Sequence, residues 1–390
     1  MKVSVVMDGR FEWANGNAYS SHMAYYPFAE RLLSVFDEVE ICARAYDIIS
    51  PTGKPVAGPG ASFVRLGNYR GARSFVRQLP RLTRSLWRLA GSSSPVLAYL
   101  PGTLPLMFGF MRLVRGKELY SLVVADPADQ LQSGALRHPL RGIARITFIS
   151  SLRYLLSRSS GAMYVTRTYL QCRYPITKGE AFATSDVLIR ESDLGLPRPA
   201  SDFRHAPIKL IYVAMMAQDY KGHDDLLHAV AKVRAAGTDV RLKLVGDGPL
   251  RPKIEALARD AGIADLVTFT GKISHGSQMM EQLDSSDIFV MTSRAEGLPR
   301  AMVEAMARGL PVISTNVGGV SELVSEYFTV APNNPAAFAD KLVSIASMPD
   351  CLSRASAKNL EVAKYYLDHK VDQRIKLFYR FIVGNARSAT

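Results

Sequence analysis

Short apolar runs alternate with stretches of helical periodicity along most of the chain. Eleven runs of four to seven residues are typical of buried strands. Near-continuous apolar strands that are separated by helices indicate a parallel sheet covered on both faces, so the pattern predicts a doubly wound α/β protein. The predicted strands are Val3–Met7, Val39–Ala43, Phe63–Leu66, Val96–Leu100, Leu119–Ala125, Met163–Thr166, Ile208–Ala214, Arg241–Val245, Val267–Thr270, Ile288–Thr292 and Pro311–Ser314.

The series is interrupted once, at the proline-rich polar segment Leu196–Pro207, and a fresh strand–helix series begins at Lys209. A chain of 390 residues is too long for one ordinary domain and comfortable for two. We therefore expect two Rossmann-like domains that face a cleft, spanning residues 1–200 and 206–365. The aromatic-rich residues 366–390 are expected to form a helix that crosses back to the first domain.

The uncharged segment Leu89–Met111 is about as long as a membrane span, but three prolines and three glycines interrupt it. It is better interpreted as the strand Val96–Leu100, a loop, and a helix from about Leu104. Three widely separated cysteines fit a reducing compartment. The strand-like run after Met1 is too short for a signal-peptide core, and these features favour a cytoplasmic location.

The segment from Ile288 to Gly309 carries the most informative polar residues. A predicted strand is followed by Glu296-Gly297-Leu298-Pro299, and a helical pattern then contains Glu304. Pro299 suits a first helical turn, and the loop together with the unpaired N–H groups of the helix start can hold a phosphate. Acids also occur at helix starts simply because they favour the helix dipole, and this alternative stays open for both glutamates.

Glycine-rich turns follow the neighbouring predicted strands. Gly318-Gly319 follows one, and Gly246-Asp-Gly248 and Gly271-Lys272 follow two others. Lys221-Gly222 lies at the start of a helical pattern. The set, in this order, resembles the family-4 retaining glycosyltransferases of the GT-B fold. The resemblance is strongest between Lys209 and Val324.

The resemblance implies a role for each matching residue. Glu296 would contact hydroxyls of the donor sugar, Glu304 would accept both ribose hydroxyls, and Lys221 would be the counter-charge of the diphosphate. The resemblance implies a nucleotide-sugar donor, with UDP-sugar favoured and GDP-sugar as the alternative, and neither a divalent metal nor another cofactor. The remaining donor contacts would come from the backbone of Gly297, Leu298 and Pro299 and from Gly246, Gly271 and Lys272 around the base.

The chain departs from the family at one position of the donor site. Where the family often has Gly-Arg, this chain has Ala214-Met215, and a thioether cannot bind a diphosphate as a guanidinium does. Stabilisation of the leaving group would then depend more on Lys221. Arg294 or Arg300 could assist, although both are equally plausible as solvent-facing residues.

The first half of the chain has fewer specific signals. The segment Asp8–Asn17 is expected to be a loop after the first strand, either facing the cleft with Gly16 near the diphosphate or forming a plain strand–helix turn. Asp126 follows a buried strand and is the leading acceptor-side catalytic candidate, with helix capping as its alternative. His22 and His138 are further acceptor-side candidates.

Positive charge is concentrated in the first half, where residues 1–200 hold 25 Lys/Arg against 14 Asp/Glu. No acid occurs between Ile48 and Lys117. Arginines recur there at intervals of three or four beside Trp87, and Pro80 is expected to kink or break their helix. The stripe favours docking on an anionic membrane surface; a solvated face is the alternative, and no nucleic-acid-binding motif is present. Its members are Arg70, Arg73, Arg77, Arg81, Arg84 and Arg88.

Together these features predict a retaining hexosyltransferase that moves a sugar from a nucleoside diphosphate to an acceptor hydroxyl. The expected acceptor is a lipid-linked saccharide of bacterial exopolysaccharide or O-antigen assembly, at the inner face of the plasma membrane. One alternative is a transferase that acts on a small acceptor such as an aminocyclitol. Others are a catalytically silent nucleotide-sugar-binding protein and a nucleotide-sugar epimerase on the same fold.

Overall fold

The computed structural model describes residues 1–20, 23, 25–131, 141–274 and 276–388. The chain forms two compact units. Unit 1 comprises 1–125, 146–184 and 372–390, and unit 2 comprises 126–145 and 185–371. Relative to the ranges expected from the sequence, residues 126–145 and 185–200 group with unit 2. The residues from Asp372 onward, in the last helix, group with unit 1.

All eleven predicted strands are present; the first extends to Ala14 rather than Met7, and the others differ by smaller amounts at their ends. Four further strands are short and lie toward the margins of the sheets: Asn17–Ser20, Lys54–Pro55, Glu180–Ala183 and Thr329–Val330. The strands are β1 Lys2–Ala14, β2 Asn17–Ser20, β3 Glu38–Asp47, β4 Lys54–Pro55, β5 Ala61–Gly67, β6 Val96–Leu100, β7 Tyr120–Val123, β8 Gly161–Tyr164, β9 Glu180–Ala183, β10 Ile208–Val213, β11 Val240–Val245, β12 Val267–Gly271, β13 Ile288–Met291, β14 Val312–Thr315 and β15 Thr329–Val330.

Helices occupy most of the connections between these strands. Within the described residues, no helix is both long enough and apolar enough to cross a membrane. The helices are α1 Tyr25–Leu33, α2 Ala72–Ala90, α3 Thr103–Val114, α4 Pro127–Gln130, α5 Arg141–Arg158, α6 Tyr169–Arg173, α7 His223–Ala235, α8 Arg251–Asp260, α9 Ser277–Asp284, α10 Arg300–Ala307, α11 Pro335–Ala346, α12 Pro349–Ala363 and α13 Asp368–Ser388.

Unit 1 is built on a sheet whose parallel strands run in the order β5-β3-β1-β6-β7-β8-β9. Val3, Val5 and Val6 are fully buried in β1, as expected for a strand covered on both faces. From Asp372, α13 belongs to this unit and places Phe378 against Phe182, with ring centroids 5.2 Å apart.

The prediction of a loop after the first strand is wrong, because β1 continues to Ala14 and pairs with β2 as a hairpin. Asn15 and Gly16 form its two-residue turn with φ values of 51° and 76°. Asn-Gly is the preferred sequence for such a turn, since both residues tolerate positive φ. Gly16 therefore lies at the tip of a hairpin, and the loop that suggested its contact with a diphosphate does not exist.

The expected break at Pro80 is also wrong, because α2 runs without interruption from Ala72 to Ala90. Proline leaves the carbonyl four residues earlier, that of Val76, without its helical donor. Pro80 is exposed, and Val76 is 64% exposed. Water can therefore hydrate that carbonyl, and the helix continues at a modest cost.

Candidate functional site

The carboxyl ends of β10 and β13 define the most distinctive edge of unit 2. Its parallel strands run in the order β12-β11-β10-β13-β14-β15, so the chain winds outward from β10, then returns to the other side of β10 and winds away again. In open α/β sheets, ligands bind at the carboxyl ends of the strands where this reversal occurs. The segments after β10 and β13 are therefore the expected ligand contacts.

Those two segments bring Lys221 and Glu296 together, as the predicted donor site requires. The Lys221 Nζ atom lies 2.8 Å from Glu296 Oε1, and the two side chains are 21% and 11% exposed. Burial, the largest influence on the pKa of Lys221, lowers it. The adjacent Glu296 carboxylate and Tyr220 outweigh burial, so the pKa is raised and the ammonium is charged.

The loop that carries Glu296 is held by the glycine turn after β14. A side chain at Gly318 would place its Cβ 2.1 Å from the Glu296 carbonyl oxygen, and φ is +54° there. The next residue, Gly319, donates its N–H to the Gly297 carbonyl at 2.7 Å. The two glycines that seemed separate in the sequence therefore support one loop by close backbone approach.

Helix α10 begins directly after this loop, with Pro299 as its N-cap. Its first N–H groups have no partner within the helix, which makes this end suitable for an anion. Glu304 lies further along the helix and is half-buried, while its neighbours Val303 and Ala305 are fully buried. Its pattern of burial agrees with a side chain at the margin of the core.

The glycine turns after β11 and β12 lie side by side. Gly246 donates its N–H to the Gly271 carbonyl at 2.9 Å, and a Cβ at Gly246 would lie 2.1 Å from the Ala214 carbonyl oxygen. These backbone contacts place the residues predicted for the base pocket next to Ala214 and Met215. Met215 is 54% exposed, and Lys272 is exposed as well.

The two arginines that could assist Lys221 differ in their surroundings. Arg294 is 9% exposed, and its guanidinium binds Asp224 and Asp225, so it is not available to a diphosphate. Arg300 is the first residue of α10 and is 53% exposed. Its Nε atom lies 3.5 Å from Asp186, which is itself 62% exposed, so this pairing is weak.

The structure shows the capping alternative for Asp126. Its Oδ1 atom accepts the N–H of Ala128 at 2.7 Å as the N-cap of α4, and the residue is only 1% exposed. An acceptor-side role for Asp126 stays a prediction. His22 and His138 lie outside the described residues, and no group of metal-ligating side chains that could hold an ion is found among those that are described.

The basic stripe on α2 lies opposite the buried face of that helix. Leu82, Leu86 and Ala90 are fully buried, whereas the six arginines are exposed. Trp87 is 40% exposed and has the guanidinium carbon of Arg115 5.2 Å from its ring. Five of the six arginines therefore form a continuous outward surface of α2, and Arg70 lies two residues before the helix begins.

Sequence reasoning missed a set of polar residues that surround the Lys221 turn. Tyr212 lies inside an apolar strand, and its hydroxyl contacts Ser293 Oγ at 2.9 Å and the Lys221 carbonyl at 2.6 Å. Thr292 donates to the Gly222 carbonyl at 2.7 Å. The available signal was a single polar-tipped residue in one buried run and a Thr-Ser pair directly after another.

Part of the chain matches the model of a known protein family. Residues 207–348 match the model for "Glycosyl transferases group 1". The chain carries a group 1 glycosyltransferase domain. The matched residues span the Lys221 turn, the Glu296 loop and α10, so the resemblance stated from the sequence is confirmed at this level.

Curated relatives match over different shares of the chain. Protein CapJ of Staphylococcus aureus is 25% identical over 86% of this chain and 83% of its own length. The alpha-D-kanosaminyltransferase of Streptomyces kanamyceticus is 27% identical over 63% of this chain and 62% of that protein. The putative colanic acid biosynthesis glycosyltransferase WcaL of Escherichia coli is 29% identical, over 46% of this chain and 45% of WcaL.

Solved structures match the fold along nearly the whole chain. Sucrose-phosphate synthase from Thermosynechococcus elongatus has a TM-score of 0.69 at 17% identity, covering 98% of this chain and 99% of that one. HepE of Anabaena in complex with UDP-glucose has a TM-score of 0.61 at 15% identity and covers both chains completely. These neighbours confirm the expected GT-B fold class. Each of the two units is Rossmann-like, with helices packed against a largely parallel sheet.

Proposed function

We propose that the group 1 domain binds a nucleoside diphosphate sugar at the carboxyl ends of β10 and β13, and that the protein is a retaining hexosyltransferase. The observation that carries the proposal is the Lys221–Glu296 pair, a mostly buried cation and a mostly buried carboxylate beside the N-terminus of α10. A diphosphate needs positive charge and N–H donors, and a sugar needs a carboxylate acceptor. This edge of unit 2 supplies all of them.

Each part of the nucleotide-sugar donor then has a protein partner of matching chemistry. Lys221 and the first N–H groups of α10 would bind the diphosphate, Glu296 would accept sugar hydroxyls, and Glu304 would accept the two ribose hydroxyls. Arg300 would be the second cation in place of the residue missing at Met215. Gly297, Leu298 and Pro299 would offer backbone contacts to sugar and phosphate oxygens, and Gly246, Gly271 and Lys272 would line the base pocket.

The reaction breaks the bond between C1 of the sugar and the diphosphate oxygen and forms a bond between C1 and the acceptor oxygen. In a retaining transfer the new bond forms on the same face of the sugar, which leaves an α-linkage. The acceptor proton passes to the departing diphosphate. Lys221 would stabilise the negative charge that develops on the leaving oxygen, and no divalent metal is assigned to this step.

For the donor, UDP-sugar is favoured and GDP-sugar is the alternative. The solved complex of HepE with UDP-glucose supports the first, because it shares the fold over the full length of this chain. The base contacts assigned here are mostly backbone groups after β11 and β12. Such groups can accommodate either base, so direct comparison of the two nucleotides is needed.

For the acceptor, a lipid-linked saccharide at the inner face of the plasma membrane is proposed. The name of WcaL points to colanic acid synthesis, and α2 presents five exposed arginines with Trp87 beside them. Arginine attracts anionic lipid headgroups, and tryptophan favours the membrane interface. The protein would then be cytoplasmic and peripherally bound.

A small soluble acceptor is the second candidate, because the kanosaminyltransferase relative covers 63% of this chain. The two candidates differ in their need for a membrane. A transferase for a small acceptor has no reason to bind vesicles, whereas one for a lipid-linked acceptor should bind vesicles of phosphatidylglycerol and phosphatidylcholine at low salt. Absence of such binding would favour the soluble acceptor.

The donor site is tested by thermal shift against UDP, GDP, ADP and their sugars, followed by chromatography of the donor that binds. A ligand that binds only the folded state raises the unfolding temperature. We expect one diphosphate series to raise the unfolding temperature of the protein. We also expect the protein to hydrolyse the corresponding nucleotide sugar slowly when no acceptor is present. Stabilisation without hydrolysis or transfer would indicate a silent binding protein, and an altered sugar on an intact nucleotide would indicate an epimerase.

A further inference from the structure

The turn that carries Lys221 is held at four successive carbonyl oxygens. Each accepts a hydrogen bond from β10 or from the residues that directly follow β13, on either side of the strand reversal. Gly222, the last of the four, has φ of +67°, and a Cβ there would lie 2.1 Å from the Thr292 carbonyl oxygen. The four contacts are Arg294 Nη1 to Asp219 O at 2.8 Å, Arg294 N to Tyr220 O at 2.7 Å, Tyr212 Oη to Lys221 O at 2.6 Å and Thr292 Oγ1 to Gly222 O at 2.7 Å.

Arg294 supplies two of these four contacts and also fixes the helix that follows the turn. Its Nη2 atom lies 2.8 Å from Asp224 Oδ2 and 2.8 Å from Asp225 Oδ2, and its Nε atom lies 3.1 Å from Asp225 Oδ2. Asp224 and Asp225 belong to the first turn of α7. One planar guanidinium thus joins the start of the Lys221 turn to the start of α7, a geometry that lysine cannot reproduce.

These hydrogen bonds hold the chain both before and after Lys221. Asp219 and Tyr220 are bound before it, and Gly222, Asp224 and the α7 start are bound after it. The lysine side chain still rotates about its own bonds, but the point from which it projects is fixed relative to Glu296, which follows Arg294 by two residues. A shift of the turn would move the ammonium away from the Glu296 loop.

We propose that Arg294 is a positioning residue for glycosyl transfer, which acts by fixing the turn that delivers the Lys221 ammonium to the diphosphate of the donor. The proposal rests on the proposed function. It assigns to Arg294 a task different from direct contact with the donor. Because Met215 supplies no cation, transfer depends on the placement of Lys221, and a misplacement of about 1 Å can reduce turnover about a hundredfold.

The matched control is Arg308, which makes the same kind of contact elsewhere in unit 2. Its Nε and Nη2 atoms bind both carboxylate oxygens of Asp284, at 2.8 and 2.7 Å, and its Nη1 atom binds the Asp193 carbonyl. Arg308→Met removes a comparable guanidinium clamp without touching the Lys221 turn. A general loss of stability would therefore affect Arg294→Met and Arg308→Met alike.

The experiment is a double-mutant cycle with Lys221→Met, read by the dissociation constant of UDP, or of GDP if only that binds, and by hydrolysis of the corresponding donor. We expect Arg294→Met to raise the dissociation constant of the nucleoside diphosphate about tenfold. For donor hydrolysis, it should lower kcat more than it raises KM. In the Lys221→Met background, the same change should alter affinity less than about twofold, because its effect passes through Lys221. Arg308→Met should leave both constants unchanged.

Arg294→Lys provides a second variant should Arg294→Met fold poorly. It keeps a positive charge beside Asp224 and Asp225 but cannot also bind the Asp219 carbonyl, so we expect loss of affinity close to that of Arg294→Met. Unchanged diphosphate affinity in a folded variant, or equal losses with and without Lys221, would overturn the positioning role alone. A wild-type protein that binds no diphosphate would instead overturn the proposed function, and the inference with it.

Discussion

The charges of Lys221 and Glu296 neutralise each other while no donor is bound. Their atoms are 2.8 Å apart, and both side chains are mostly buried, so each lowers the cost of burying the other. In the proposed complex, the two groups serve different parts of the donor. In that complex, donor binding would compete with the existing ion pair.

Glu296→Gln should tighten the binding of nucleoside diphosphate and at the same time impair sugar transfer. Without its carboxylate partner, Lys221 is a mostly buried charge in need of an anion, so the dissociation constant of UDP should fall about tenfold. The amide accepts sugar hydroxyls less well, so transfer should fall about tenfold or more. Isothermal titration with UDP and a donor-hydrolysis assay measure the two effects.

Glu304→Gln is the control for this prediction, because it makes the same chemical change eight residues away. It would weaken a ribose contact and should raise the dissociation constant of UDP. The two variants therefore move affinity in opposite directions. A Glu296→Gln protein that binds UDP more weakly than wild type would contradict the competition between donor and ion pair.

His223 should make the stability of unit 2 depend on pH. The residue is 4% exposed and lies with its ring 5.2 Å from that of Tyr212. Burial is the main cause that lowers the pKa of His223, to about 4, and the charge of Lys221 adds to it. The unfolded chain, with a pKa near 6.5, binds more protons than the folded one, so stability is full above about pH 6.5 and falls as pH decreases toward 4.

Between pH 7 and pH 5, this residue should cost unit 2 about 2 kcal/mol of unfolding free energy. Urea unfolding at a series of pH values, with fluorescence detection, measures the slope. His223→Gln cannot be protonated and should show a flatter profile over the same range, whatever its stability at pH 7. Equal slopes in the two proteins would show that other groups govern the acid sensitivity.

At the scale of the element, α2 is the clearest case of a helix with two chemically opposite faces. Leu82, Leu86 and Ala90 fix one face against unit 1, which directs the arginines outward. Near an anionic bilayer, each basic residue contributes about 1 kcal/mol, so the stripe as a whole can hold the protein at a membrane.

Arg77→Gln with Arg84→Gln should weaken binding to phosphatidylglycerol vesicles about thirtyfold at low salt, since two contributions of about 1 kcal/mol are lost. Sedimentation with vesicles measures the partition. Arg354→Gln with Lys358→Gln removes two exposed charges from α12 and should leave binding unchanged. Equal losses in both proteins would indicate non-specific attraction by net charge, and no binding by wild type would contradict the docking of α2.

The regular elements could largely be predicted because buried parallel strands are continuous apolar runs, as Ile288–Met291 illustrates. The Glu296 loop could be predicted too, since its residues are contiguous. Two predictions are wrong for local reasons: Asn15-Gly16 favours a hairpin turn rather than the expected loop, and Pro80 lies on the exposed side of a helix that tolerates it.

The clamp on the Lys221 turn could not be predicted, because it depends on contacts between distant parts of the chain. Arg294 meets Asp224 and Asp225 across about seventy positions in sequence, and only the adjacency of β10 and β13 brings them together. The sequence alone does not distinguish Arg294 from Arg300. Burial distinguishes them in the structure.

At the scale of the whole molecule, the chain completes unit 1 with residues that follow unit 2. Phe378 is fully buried and packs on Phe182, and Tyr379 packs near Phe36 at 5.8 Å between ring centroids. The two units therefore have separate cores but not separate sequence ranges.

Phe378→Ala should destabilise unit 1 by about 3 to 5 kcal/mol, as expected for the loss of a buried aromatic ring. Phe338→Ala, in α11, removes an equally buried ring from unit 2. In urea unfolding, bound nucleotide should shift the transition of unit 2. Phe338→Ala should move this transition to lower urea concentration, and Phe378→Ala should leave it in place. A nucleotide-sensitive transition that moves equally in both variants would show that the units unfold as one.

The placement of α13 also affects the order in which the two units can complete their folding during synthesis. On the ribosome, the residues of unit 2 emerge before Phe378, Tyr379 and Phe381, so unit 2 can close its core while Phe36 and Phe182 still lack their cover. The half of the protein that is synthesised first is then the last to finish folding. For that interval its apolar surface is a natural target for chaperones.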